Sequence, residues 1–170
     1  IAGRWASLWT YDGQPGGGAN PTAVEAPTRN TAGALPFTNA PGGSEVKLTQ
    51  AWATGIVGGT LILYDRLLHI GGLSGTNAAA QPVGGTITRN ADGALAWIEI
   101  YTLIGTTATT VQMNYVDQGG NASISTATTI GGTNFREQTR VILMPLASGD
   151  TGIQSVTNVD LLASTLTAGN

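Results

Sequence analysis

The sequence predicts an all-β fold: an antiparallel β-sandwich, jelly-roll-like, with an extended N-terminal arm. Short runs rich in β-branched and aromatic residues recur along the chain, Gly-rich turns separate them, and no stretch shows a sustained helical stripe with caps. The 170 residues suit one domain, and a domain of that length removes roughly 70% of its unfolded surface from water.

The arm comes first. Residues 1–44 hold Pro15, Pro21, Pro27, Pro36 and Pro41, five of the seven prolines, together with QPGGGANP and APGG. Proline lacks a ladder donor and breaks helices, so little periodic structure is expected there. The change of composition sets the boundary between the arm (1–44) and a β-sandwich domain (45–170). GRWASLWTY is unusual content for a linker. Trp5, Trp9 and Tyr11 are read as anchors, because aromatics of that size bury a large area once they find a surface. That surface is either this chain's own core or a neighbouring subunit, and the second is the sharper expectation.

The expected strands follow. EVKLTQAWA (45–53) alternates, with Val46 and Leu48 on one face. GTLILYDRL (59–67) is β-branched and aromatic enough for a buried strand. LAWIEIYTLI (95–104) sets Trp97, Glu99, Tyr101 and Leu103 against Ile98, Ile100, Thr102 and Ile104. TTVQMNYV (109–116) groups Val111, Met113 and Tyr115; DQGGN (117–121) reads as a hairpin turn, and ASISTATTI (122–130) returns. TRVILMPL (139–146) and GIQSVTNVDLLAST (152–165) complete a set of seven to nine strands. Residues 64–70 are the best helix candidate and are short. Trp97, Ile98, Ile100, Val141 and Leu143 are the expected core. VGGT at 57–60 and 83–86 and IGGT at 130–133 recur at unequal spacing, and each is read as a tight turn or a close backbone approach, with Thr starting the next strand.

Composition narrows the function. Only 10% of residues are charged and the net charge is −3. The seven cations, Arg4, Arg29, Lys47, Arg66, Arg89, Arg136 and Arg140, are scattered, which argues against nucleic acid as a partner. Without cysteine there are no disulfides, thiolate metal sites or cysteine nucleophiles. No apolar run approaches the roughly 20 residues that span a bilayer, and no membrane partner or signal peptide is expected. The chain opens on Ile1 and closes on LTAGN, as a piece of a longer or processed parent would.

Catalytic patterns are weak. The single histidine, His69, shares LILYDRLLHIGGLSGT (61–76) with Asp65 and Ser74. Asp65 and His69 share a face on either a strand or a helix, but GLSGT is not a nucleophile elbow. The strip is read as structural, with Asp65 and Arg66 a local polar feature and His69 satisfying a loop. One histidine with no cysteine excludes the usual zinc sets. The ten carboxylates are spread singly, and nothing selects a glycosidase pair from Asp65, Glu99, Asp117 and Glu137. No catalytic residue, cofactor or metal is expected. NAS at 121–123 fits a glycosylation acceptor, a pattern that often matches by chance.

GRWASLWTYDGQPGGGANPTAVEAPTRNTAGAL, LILYDRLLHIGGLSGT and IGGTNFREQTRVILMPLASGDTGIQSV together resemble a group of tailed-bacteriophage virion structural proteins. The resemblance runs over most of the chain from Gly3 onward. It implies a non-enzymatic protein present in many copies on the virion, at the capsid surface as a decoration or cement protein. Its partners would be copies of itself and the major capsid protein or other virion proteins. Alternatives are a tail-tube or neck protein, or a carbohydrate- or receptor-binding module with Trp52, Trp97 or Tyr101 as a sugar platform.

Overall fold

The computed structural model describes residues 4–13, 15–38, 40–47, 49–50 and 58–169. Among them are eight strands and no helix: β1 (Trp5–Ala6), β2 (Gln81–Thr86), β3 (Ala96–Glu99), β4 (Thr109–Asp117), β5 (Ala122–Ile124), β6 (Thr128–Ile130), β7 (Arg140–Met144) and β8 (Ile153–Leu161). They form two antiparallel sheets, a small one in the order β1-β7-β3 and a large one in the order β2-β8-β4-β5, with β6 also on β4. One apolar cluster joins them: Ile142 and Met144 of the small sheet pack with Val111, Met113, Tyr115 and Val159 of the large one.

The longest hairpin follows directly from its residues. β4 alternates strictly, burying Thr109, Val111, Met113, Tyr115 and Asp117. Full burial of such apolar side chains contributes about 1.5–3 kcal/mol each. Asp117 then closes the turn, its Oδ1 accepting from the backbone N–H of Gly119 (2.7 Å) and of Asn121 (2.8 Å). The Asn121 amide and the turn's other N–H groups hold the Asp117 carboxyl below its ordinary range. Past β5 the chain splits its bonding. Ser125 N donates to Met113 O at 2.9 Å, while Thr126 N donates to Pro145 O, just beyond β7, at 2.8 Å. This segment ties the large sheet to the small one.

β8 buries Ile153, Val156, Val159 and Leu161, steps of three, three and two. Its register against β4 shifts twice, between Asn114 and Tyr115 and between Val116 and Asp117. Each bulge adds one residue and stretches a step of two into a step of three. β2 runs along the other side of β8 with a shift between Pro82 and Gly85, where Gly84 takes φ +60°. Pro82 is tolerated because β2 is an edge strand. The second VGGT is thus a bulge inside a strand, not a turn before one.

Eight strands fall within the expected number, but the set differs. Residues 45–47, 49–50 and 58–68 form no strand, and Leu48 and 51–57, with Trp52, lie outside the described residues. The 64–70 helix candidate is not helical; its one regular feature is an isolated bridge between His69 and Glu25. β-propensity measures fit to a pleated neighbour, and Leu61, Ile62, Leu63 and Tyr64 have none, standing 52–59% exposed. The core expectation also needs correction. Ile100 is buried, but Trp97 is 42% and Leu143 40% exposed. β3 and β7 of the small sheet each pack one face on the core, whereas both residues of β1 are exposed. On β7 the inward residues are Arg140, Ile142 and Met144, which turns Val141 and Leu143 outward.

Candidate functional site

The outer face of the small sheet carries the chain's most distinctive surface. Trp97 lies opposite Leu143, and Glu99 opposite Val141, across β3 and β7. Trp5 lies opposite Val141 on the other side. Facing residues share a side of the sheet, so Trp5, Val141, Leu143 and Trp97 form one apolar stripe with Glu99 at its margin. Trp5 is 44% exposed.

One end of this face is covered. The guanidinium of Arg66 reaches over it and pairs with the Glu99 carboxylate, leaving each side chain 11% exposed. Arg66 also donates to Tyr101 Oη (3.0 Å) and Tyr64 Oη (3.2 Å), and Tyr101 donates to Glu99 at 2.9 Å. Above the guanidinium sits the Trp9 ring, with its centroid 4.2 Å away, a cation–π geometry. His69 meets Trp9 edge-on at 5.7 Å. Its Nδ1 lies 3.4 Å from Arg66 and its Nε2 3.0 Å from Glu25. A guanidinium can only donate, so Nδ1 accepts and Nε2 carries the proton towards Glu25. Two backbone bonds between Glu25 and His69, of 2.9 and 3.0 Å, close the clamp.

The electrostatics follow from this arrangement. Burial opposes the Arg66 charge, but Glu99 and the two phenols outweigh it and raise the pKa. Burial, then the Glu99 charge, pushes the Tyr101 phenol well above its ordinary range. The hydrogen bond from His69 holds Glu25 below the usual carboxylate range. Each acid or base here is held by another side chain, and the chemistry available is cohesion: two segments distant in sequence are pinned to the small sheet.

The three anchor residues read from the sequence have separate fates. Trp9 packs on this chain's own Arg66, with its Nε1 donating to Ala19 O at 3.0 Å and its ring against Gly18. Trp5 is a strand residue with half its surface open, and Tyr11 is 57% exposed. The N-terminal segment therefore supplies an edge strand and half of the clamp. Asp65 is bound by Arg89 (2.9 Å), and Ser74 Oγ by Thr76 (3.0 Å), so neither joins His69. Among the described residues no group of three His, Asp or Glu is placed to hold a metal. Of the possible sugar platforms, Tyr101 is buried and Trp97 is open.

Sequence reasoning missed Glu99 and Tyr101 as partners of Arg66. A carboxylate inside the apolar run LAWIEIYTLI was the signal: it demands a cation when the strand is covered, and only seven exist. A depression of about 640 Å³ lies instead on the outer face of the large sheet. There Asn114 and Asn158 donate to Asp160 at 2.6 and 3.0 Å, and the groups satisfy one another. Beyond the apolar stripe, the exposed run Leu61–Leu63 leads into Tyr64 and the clamp.

Comparison with protein-family profiles, curated proteins and solved structures finds no match to this chain.

Proposed function

We propose that this chain is a structural component of a tailed-bacteriophage particle, a capsid decoration or cement protein that self-associates and binds the shell. In this reading it is a jelly-roll-like β-sandwich with an extended N-terminal arm. The half-covered apolar face of the small sheet carries the proposal. Contiguous exposed apolar surface marks an interaction site when it exceeds what a monomer ordinarily shows, and here Trp5, Trp97 and Leu143 stand 40–44% exposed on one face of the sheet. Interfaces favour Trp and avoid charge at their centre, as this stripe does. The sequence resemblance to virion proteins supplies the setting. Trp5 and Tyr11 remain available to a neighbouring subunit, while Trp9 works within the chain.

The exposure of Trp97 also favours a carbohydrate-binding module. Sugar platforms surround the ring with hydrogen-bonding groups, whereas Trp97 faces Leu143. The test is quantitative mass spectrometry of purified phage particles. A decoration protein is present at a copy number comparable to the major shell protein, and loses attachment on Trp97→Asp. A copy number matching a fibre or neck component, or absence from the particle, contradicts the decoration reading.

A further inference from the structure

Arg140 is a buried cation with two nitrogens that meet no acceptor among the described residues. It opens β7 on the inward face, opposite Ala6 of β1, and is 8% exposed. Its Nε and Nη1 are shut off from solvent and meet no acceptor among the described residues. Phe135 lies against the guanidinium, 5.1 Å from centroid to carbon. Arg4, just before β1, pairs with Glu137 at 2.5 Å and donates to Asn134 Oδ1 at 2.6 Å. A cavity of about 140 Å³ opens here, lined by Arg4, Trp5, Ala6, Glu137, Thr139 and Arg140. Water occupies about 30 Å³ in the liquid, so the space admits an anion of a few heavy atoms.

Two further facts point to this place. Burial, followed by the Arg4 charge, lowers the Arg140 pKa, with Glu137 opposing; the site holds more positive charge than its one carboxylate answers. Thr139, on the cavity wall, has φ +65°, an outlier for a β-branched residue. It is held there by bonds from its N–H to Ile100 O (2.7 Å) and from Ser7 N to its carbonyl (2.8 Å). Such strain clusters where a structure holds a ligand or a switch.

We propose that Arg140 and Arg4 form a carboxylate-binding site at the open end of the β1–β7 ladder. The carboxylate is either a free small anion or an acidic side chain of another copy; Arg suits both, since its planar fork matches a carboxylate and it stays charged. The inference stands apart from the phage reading.

The experiment follows the thermal midpoint and the sedimentation behaviour of the full chain in sodium acetate, against sodium chloride at equal ionic strength. For a free anion, acetate raises the midpoint saturably where chloride does not. For an acidic side chain of another copy, acetate dissociates the associated species, and R140M does the same without acetate. Under either source R140M weakens the acetate response about tenfold or more, since charge-assisted bonds are lost. Should R140M not fold, E137Q serves: it removes the resident carboxylate, frees Arg4, and strengthens the acetate response. Identical acetate and chloride behaviour in wild type overturns the site, as does a response that R140M leaves intact or that E137Q does not strengthen.

Discussion

Replacing Arg66 by Met tests whether the clamp holds the N-terminal segment to the body. The substitution keeps most of the side-chain volume and removes the charge. It leaves the Glu99 carboxylate, 11% exposed, with only the Tyr101 hydroxyl as donor, and takes the cation from the Trp9 face. Breaking a buried ion pair by removing one partner costs about 3–5 kcal/mol, mostly as an uncompensated buried charge. Loss of the Trp9 contact adds about 0.5–2 kcal/mol. Glu99→Gln is milder, because Arg66 keeps Tyr101, Tyr64 and Trp9; about 1.5–3 kcal/mol is expected for a hydrogen bond to a charged group. The double variant R66M/E99Q removes both charges and should be less destabilised than the sum of the single changes by at least about 2 kcal/mol. Urea unfolding of the four proteins, followed by tryptophan fluorescence, gives the cycle. A cost below about 1 kcal/mol for R66M, or additivity within about 0.5 kcal/mol, would refute a buried, coupled pair at this place.

Three further outcomes follow. Thr165 is fully buried; its single hydroxyl proton is placed to bond Gly75 O (2.8 Å), with Thr167 O the second acceptor in reach (3.0 Å), and its Oγ1 accepts from Gly105 N (3.1 Å). Thr165→Val should therefore cost about 1–3 kcal/mol by denaturant unfolding, through stranded backbone groups. A Cβ on Gly71 would sit 1.7 Å from Pro21 O, so Gly71→Ala should displace the arm segment and raise its proteolysis rate, whereas Gly42→Ala, with open space around it, should not. The Tyr101 phenol, raised in the folded state, contributes stability that is present below the ordinary tyrosine pKa of about 10 and lost as pH rises through the higher folded value; Tyr101→Phe should flatten stability between neutral pH and that range, as read from alkaline melts.

How far the sequence disclosed this structure depends on how local each determinant is. β4 and its turn were legible because strict alternation and the Asp-initiated turn act over neighbouring residues. β8 was legible as a strand, but not in its inward set, because two bulges convert its period to three. β2 was hidden by Pro82 and the glycine pair, features that read as a turn and instead mark an edge and a bulge. Residues 59–67 were over-read, since propensity supplies no partner strand. Trp97 and Leu143 were assigned to the core because they lie in strongly apolar runs, although alternation in a one-sided sheet turns them outward. The clamp joins Arg66 to Glu99 and His69 to Glu25, 33 and 44 residues away, and separations of that order leave no periodic trace. Trp9 could be read as an anchor, but not what it anchors to.

Sedimentation equilibrium of the full chain beside Trp97→Arg/Leu143→Glu, which sets opposite charges across the strand pair, probes the role of the small sheet's outer face. Both residues are 40–42% exposed and outside the apolar cluster, so the paired change should move the urea midpoint little; surface substitutions usually stay within about 0.5 kcal/mol each. Wild type should associate with rising concentration, and the variant should remain a monomer with the same unfolding curve. Equal masses for the two proteins at every concentration, whether both monomeric or both associated, would show that this face does not join one copy to the next.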